Sequence, residues 1–465
     1  MADRAGDVVA CVDFGSTFTK AALVDVRTGA LLATASHRTT IDTDVLDGWD
    51  DCLAQLTAAD ARAPHARVLA CSSAGGGLRI AVVGNEELVT AEAGRRVALS
   101  SGGRVVHVAS GGLDPASLGA LRESRPDVVL LVGGTDGGNA EVLLGCARAL
   151  AGWPGPVVVA GNVEAQPEVS SLLTDAGTPH VCADNVVPQI GVLAPESARA
   201  AIREMFLRHV IGGKHLSTRA DPSTGSGQSF LAMVRGATPD VVLTAVELLA
   251  RGLGPEQPGA GDVVVVDVGG ATTDVHSVVE VDPEDSGLSR EVVATLPVSR
   301  TVEGDLGMRW SAVSAVEEGV AAGLAEDGRL REAAAVRQAT PSYLPQDEAG
   351  RRDDLEIARL AVAVALRRHA GRAQVVFDPG TGAGVVERSG KDLREVDLLV
   401  GSGGVLRHAG DDAPRVLARS IEADEGWQVP RAPHTVVDVD YVLAPAGLLA
   451  SEHPEAAFRL LQSLG

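Results

Sequence analysis

The sequence predicts an α/β protein of two related domains, and three observations carry that prediction. Two stretches, VVACVDFGSTFTKAALVDV at 8–26 and VVVVDVGGATTDVHSVVEV at 263–281, repeat one pattern: an apolar strand ending in Asp, a Gly/Ser/Thr turn, then a second strand. Each reads as a hairpin, not as a strand feeding a helix. Beyond the first hairpin, strand-like and helix-like segments alternate, as they do in mainly parallel sheets covered by helices. The chain of 465 residues is long enough for two domains, each burying its own core.

Taken in order, residues 8–37 read strand, turn, strand, turn, strand. ARVLACSS (66–73) is a strand, and ELVTAEAGRRVALSSG (87–102) a helix ending on Gly. RVVHVASG (104–111) is a strand, PASLGALRESR a helix, and PDVVLLVGGTDGGN (126–139) a strand entering a glycine turn. A helix at 140–150, a strand at 156–160 and a helix near 165–176 continue the alternation, and the arginine-rich stretch 196–216 reads as helical. STGSGQ (223–228) is a flexible loop. The boundary falls between it and Thr238, giving domains 1–237, with a large α/β insertion at about 60–220, and 238–465. In the second domain ATPDVVLTAVELLARGL (237–253), SAVSAVEEGVAAGLAEDGRLREAAAVRQ, DLEIARLAVAVALRRHAGR and the last twenty residues are helical, and PSYLPQDEAG is an exposed loop. Aromatics are only 3% of the chain, so the cores must be Val, Leu, Ile and Ala.

A net charge of −22, dispersed along the chain, argues against a sequence-independent grip on nucleic acid. Cys11, Cys52, Cys71, Cys146 and Cys182 are odd in number and lack CxxC spacing, so reduced thiols in or near the core are expected, not disulfides or zinc ligands. No long apolar run precedes the first strand, and no stretch could span a bilayer. A cytoplasmic protein without a signal peptide or membrane partner is expected.

The chemistry concentrates in the two hairpins. Glycine admits close approach and unusual dihedrals, so backbone N–H groups of such turns can converge on phosphate oxygens. A strand-end Asp can hold Mg²⁺ through water, since that ion keeps much of its hydration shell. Asp13 with Gly15, Ser16 and Thr17, and Asp267 with Gly269, Gly270, Thr272 and Thr273, are therefore the candidate metal-side carboxylates and phosphate turns. Lys20 either neutralises phosphate charge or points to solvent. One such hairpin alone is as readily structural; two facing each other would grip a triphosphate from both sides.

A third glycine turn, VGGTDGGN (132–139), ends a buried strand. Thr135 and Asp136 could there touch phosphate or a partner, or folding alone could demand the turn. Gly212-Gly213-Lys214-His215 is no P-loop, because His replaces the required Ser/Thr and the upstream Gly is absent. His276 alternates on a strand and reads as packed.

The two hairpins, in this order and spacing, resemble the actin-like ATPase superfamily of acetate and sugar kinases, 70-kDa heat-shock chaperones and actin. Residues 267–274 follow the chaperone pattern, with Ala271 where those proteins have a third Gly. The resemblance implies two ribonuclease H-like domains with ATP or ADP and Mg²⁺ in the cleft between them. It makes Asp13 and Asp267 the metal-side pair, and gives Asp274 either a role orienting the attacking water or a structural bond to the turn. TVEGDLGMRW (301–310) takes the place of the Gly-Asp segment. Glu303, Gly304 and Asp305 would then approach the γ-phosphate or ribose, unless Asp305 merely caps a helix. LLVGSGGVLRHA (398–409) is similar to the adenosine motif, with Gly401, Ser402, Gly403 and Gly404 under the base and ribose. Residues 237–253 match the first interdomain helix, and Ala446 and Gly447 sit where the second would cross.

Over nearly its whole length the chain resembles the MutL/GlmL family associated with glutamate mutase. The strings that carry this are DFGSTFTKAALVD, VGGTDGGN, FLRHVIGGKHLS, TPDVVLTAVELLA, VVDVGGATTDVHSV and RTVEGDLGMRW. The resemblance implies a weak ATPase acting as a reactivase or chaperone for an adenosylcobalamin-dependent mutase, alone or with a small partner subunit, or as a homodimer. Residues 60–220 are then the expected partner-binding surface. The rivals are a small-molecule kinase of the same fold and a filament-forming relative. Turnover of ATP without an acceptor favours the first reading, strict acceptor dependence the second, and nucleotide-dependent pelleting the third.

Overall fold

The computed structural model describes residues 7–40, 42–74, 78–211, 217, 230–280, 296–326, 328–377, 384–422 and 426–464. The loop expected at 223–228 and residues 212–215 lie outside these. The chain divides into two compact units, one built mainly from Met1–Ala245 and Ala444–Leu460, the other from Val246–Glu291, Thr295–Leu443 and Leu461–Gly465.

The first unit contains β1 (Val8–Phe14), β2 (Phe18–Asp25), β3 (Ala30–Arg38), β4 (Arg67–Ser72), β5 (Leu78–Val83), β6 (Gly103–Ala109), β7 (Val128–Leu131), β8 (Val157–Val159), β9 (His180–Cys182) and β10 (Val234–Ala237). They form two sheets. One has the order β10-β4-β1-β2-β3, with β1, β2 and β3 antiparallel and β4 and β10 parallel to β1. The other, β6-β5-β7-β8-β9, is wholly parallel. All seven residues of β1 are buried, which fits a central strand covered on both faces. Trp49, fully buried on the helix Val45–Ala59, fills much of the core beside it. The segment expected as one helix at 87–102 is a single π-helical turn, Glu87–Ala91, followed by the α-helix Glu92–Ser100. Strands β5 and β9 have no counterpart in the sequence reading, because short apolar runs carry no periodicity of their own.

The second unit contains the small hairpin β11 (Gly252–Gly254) and β12 (Gln257–Pro258), then β13 (Val263–Val268), β14 (Thr273–Val278), β15 (Val298–Glu303), β16 (Arg372–Phe377), β17 (Gly384–Ser389), β18 (Leu398–Ser402) and β19 (His434–Val437). Its main sheet, β15-β14-β13-β18-β19, repeats the plan of the first: three consecutive antiparallel strands, then two parallel ones. The protein is thus α/β with two actin-like, ribonuclease H-like sheets, and the sequence repeat is a repeat of architecture. The long helix Glu348–His369 begins where Asp347 accepts from Gly350 N at 2.7 Å. Its Ile357, Leu360, Ala361 and Val364 pack in one core with Val264, Val266 and Val275 of the sheet.

Four of the five cysteines are buried as expected, but Cys182, at the end of β9, is exposed. His276 is packed, as its alternation implied, lying opposite Arg300 in β15. His369 is also buried and hydrogen-bonds Ser277 Oγ (2.8 Å) and Thr301 Oγ1 (3.0 Å). Burial holds both rings well below the usual histidine range, with the charge of Arg300 adding to the effect at His276 and that of Lys391 at His369. The unfolded chain takes up a proton at each near pH 6.5, while the folded chain does not. The unfolded state therefore binds more protons below that pH, and stability must fall as pH drops. Urea midpoints should decline between pH 7.5 and 5. The His276→Leu variant should show a shallower decline; an unchanged slope would put the dependence elsewhere.

Candidate functional site

The two hairpin turns close in the same way. Gly15 N donates to Phe18 O at 3.1 Å, and Gly269 N donates to Thr272 O at 2.9 Å. A Cβ on Gly15 would sit 2.6 Å from Phe18 O, and one on Gly269 2.9 Å from Thr272 O, so both positions require glycine. The outward carbonyls are also committed. In the first turn Thr39 donates from Oγ1 to Gly15 O (2.8 Å) and from N to Thr17 O (3.0 Å). In the second, Met308 N takes Gly269 O (3.0 Å), Arg309 N and Trp310 N take Gly270 O (2.8 and 2.9 Å), and Ser311 Oγ takes Ala271 O (2.8 Å). In a trans peptide the C=O and the next N–H point opposite ways. The N–H groups of Ser16, and of Gly270, Ala271 and Thr272, are therefore aimed away from these clamps, as an anion cradle needs.

The segment 304–311 is the buckle of the second turn. Gly307 is glycine because a Cβ there would lie 2.4 Å from the Ala271 carbonyl carbon. Thr273 is buried, its Oγ1 donating to Leu306 O. Asp305 caps no helix, for the next one begins at Ala312. Instead Arg368 donates to Glu303 Oε2 (2.8 Å), Asp305 Oδ1 (2.8 Å) and Glu318 Oε2 (2.7 Å), while Gly304 offers its carbonyl to Ser311 Oγ (2.9 Å). Burial lifts the Glu303 carboxyl above its ordinary value despite the Arg368 bond, and the charges of Asp305 and Asp274 add to it.

The strand-end carboxylates differ in their surroundings. Asp13 is buried and accepts from Thr238 Oγ1 at 2.6 Å. Lys20 lies directly opposite it across β1–β2, half-buried and on the same face. In the second unit the position opposite Asp267 is Asp274, which Arg300 grips (Nε to Oδ1, 3.0 Å) and to which Thr272 Oγ1 donates (3.1 Å). Among the described residues no cluster of three or more His, Cys, Asp or Glu could hold a metal. An ion at Asp13 or Asp267 would keep most of its water, as Mg²⁺ does.

Residues 398–404 fall beside the second turn. β18 runs parallel to β13, with Ser402 opposite Asp267. Gly403 has φ +101°, and a Cβ there would meet Val268 O at 2.2 Å. Gly404 faces open space, whereas the Cβ position of Gly401 lies 2.7 Å from Leu417 Cδ1, inside the core. The smallness of Gly401 thus serves packing against the helix Asp412–Ser420.

An ion pair between a partly exposed arginine and a buried carboxylate links the surroundings of Asp13 to the parallel sheet. Thr238 opens the helix Thr238–Arg251, and Asp240, 2% exposed, accepts from Arg203 Nη2 at 2.9 Å and also from Arg203 Nε. Arg203 lies on the helix Glu196–Met205, which packs on that sheet. The same helix Thr238–Arg251 meets the helix Leu443–Leu449 where a Cβ on Gly447 would lie 2.0 Å from Val241 O. The third glycine turn is internally tied: Asn185 Nδ2 donates to Gly134 O (2.9 Å) and Asp136 Oδ1 (2.8 Å), and Asn162 Nδ2 to Gly138 O (3.0 Å).

A family model described as MutL protein matches residues 9–464. Protein MutL of Clostridium tetanomorphum is 36% identical over 467 residues, covering 98% of each chain. The chain belongs to the MutL family. Among solved structures, a nucleotide-free acetone carboxylase is 15% identical with a TM-score of 0.37, over 90% of this chain and 67% of that one. A glycerol dehydratase reactivase is 12% identical with a TM-score of 0.33, over 96% and 100%. Three residues that bond the candidate carboxylates lie in no phosphate motif: Thr238 in the first unit, and Arg300 and Arg368 in the second. Thr238 and Arg300 do lie within the strings that carry the family resemblance, but no local pattern says which carboxylate either one meets.

Removing Arg203 takes the bidentate partner from the buried Asp240 and leaves Arg199 Nη2 4.0 Å away; with Arg203 itself 41% exposed, the loss should be roughly 2 kcal/mol. Arg203→Gln should therefore lower the urea midpoint markedly. The exposed pair Arg148–Glu168 should contribute under about 1 kcal/mol, so Arg148→Gln serves as the control.

Proposed function

We propose that this protein is an ATP-dependent reactivating chaperone for an adenosylcobalamin-dependent mutase, coupling nucleotide binding and hydrolysis to domain motion in the cytoplasm. The observation that carries the nucleotide reading is the pair of equivalent turns, each with a glycine-closed backbone, outward N–H groups and a strand-end Asp. Bound Mg-ATP would supply the γ-phosphoryl group whose loss releases both turns. In this reading Asp13 and Asp267 hold the water shell of the cation, Ser16, Thr17, Gly269, Gly270, Thr272 and Thr273 line the phosphates, and Lys20 offsets their charge. Ser402, Gly403 and Gly404 admit the adenosine. Glu303 is the carboxylate best suited to orient and deprotonate the attacking water, since burial raises its proton affinity. Asp274 is committed to Arg300 and serves the turn. Arg368 positions Glu303 and Asp305.

The mutase client is drawn from membership of the MutL family and its resemblance to mutase-associated proteins. A whole five-stranded parallel sheet outside the two actin-like sheets gives such a client a surface of its own. The experiment is Mg-dependent ATP hydrolysis by the purified protein, with and without a mutase inactivated by damaged cofactor. Asp13→Ala and Asp267→Ala should each cut turnover on the order of a hundredfold. Glu303→Gln should lower kcat with nucleotide affinity retained. Wild-type turnover in both Asp variants would defeat the two-turn reading, and turnover strictly dependent on a small acceptor would make the protein a kinase.

A further inference from the structure

The wholly parallel sheet of the first unit has two chemically different rims. The loops leaving the carboxyl ends of its strands are residues 84–86, 110–114, 132–140, 160–165 and 183–195. They carry Glu86, Asp114, Asp136, Glu164 and Asp184, and no Lys, Arg or His. Arginines gather at the opposite rim, with Arg79 and Arg104 at strand starts and Arg125 just before β7.

The acidic rim also presents apolar side chains to water: Ile190 is 80% exposed, Val192 46% and Val163 37%. Single exposed apolar residues are ordinary, but here Asp136 brings them together. Its N–H donates to Pro188 O (3.1 Å), and its Oδ1 accepts from Val163 N (3.2 Å). The loop is held in shape, since Val192 N closes on Gln189 O (3.0 Å) and Ala194 N on Val186 O (2.9 Å). Exposed apolar side chains among carboxylates on loops held in shape have the mixed apolar and polar character of a protein interface.

We propose that this rim docks a protein segment bearing an apolar anchor among Lys or Arg residues. Five carboxylates without a cation repel phosphates, nucleic acid and anionic lipid. A second copy of a chain of net charge −22 would bring the same carboxylates opposite themselves. The proposal rests on the reactivase reading only for the identity of the partner. The rim is also joined to the phosphate side. The loop 189–195 runs directly into the helix Glu196–Met205, whose Arg203 holds Asp240, two residues beyond the Thr238 that holds Asp13. A segment seated on Ile190 and a phosphate at the first turn thus bear on one helix.

The test uses the full-length protein and two probes: a purified adenosylcobalamin-dependent mutase and a synthetic amphipathic Leu/Lys peptide. Binding is read by calorimetry and by alkylation of Cys182, the exposed thiol on this rim. The variants are Ile190→Ser and Asp184→Lys, both on exposed side chains, with circular dichroism confirming the fold. The expected result is binding of the mutase to the wild type, at least about tenfold weaker binding to each variant, and slower Cys182 alkylation in the complex. Equal binding of the mutase to wild type and variants overturns the rim and leaves the reactivase reading intact. Binding of the peptide alone, lost in the variants, supports the rim and removes the mutase as client. Failure of both probes overturns both. Self-association of the wild type that Ile190→Ser abolishes seats a second copy on the rim and also overturns the proposal.

Discussion

Both hairpin turns rest on one short hydrogen bond, from a glycine amide to the carbonyl three residues on, made where no Cβ can fit. That closure fixes the path of the three or four peptide planes between the strands. With the carbonyls of Gly15 and Thr17 held by Thr39 in one unit, and those of Gly269, Gly270 and Ala271 by residues 308–311 in the other, the N–H groups that follow them point the opposite way. Their direction is therefore a consequence of where the carbonyls go. The Gly-Asp-Leu-Gly-Met-Arg-Trp stretch, which reads as a possible ligand contact, acts chiefly as the clamp behind the second cradle.

Around these turns the two units solve the same electrostatic problem differently. In the first, the residue facing Asp13 across the hairpin is Lys20, and a threonine hydroxyl orients the carboxylate. In the second, the facing residue is Asp274, so two carboxylates lie side by side, and the buried Arg300 neutralises the added charge. Leaving such a pair unneutralised would be costly in a partly desolvated place. Arg368 does the same for Glu303, Asp305 and Glu318. The duplication is thus one of backbone, with the side-chain electrostatics rewritten in each half.

The insertion is mechanically continuous with the first turn. Its helix Glu196–Met205 grips Asp240, and Asp240 sits at the start of the helix whose Thr238 touches Asp13. A bidentate pair transmits displacement here because the buried Asp240 loses its main partner if the two helices part. This gives a physical route within the first unit by which events on the parallel sheet and at the first turn can bias each other.

Much of this was legible in the residues. The repeated strand–Asp–glycine turn, the helix opening at Thr238 and the packed His276 follow from local chemistry: apolar runs make strands, and glycine admits turns that other residues cannot. The small Ala446-Gly447 pair was marked by the resemblance. The sequence by itself determined the two hairpins, the identity of the strand-end carboxylates and the glycines that shape the turns, because those depend on neighbours a few residues apart. Only the tertiary structure decided which arginine each carboxylate meets. The arginines that claim Asp274, Glu303 and Asp305 lie 26, 65 and 63 residues away, and Arg203 lies 37 from Asp240. Such pairings follow from strand order and helix packing, to which a local pattern is blind. The same holds for Gly401, a candidate ligand contact by motif and a packing glycine by virtue of Leu417.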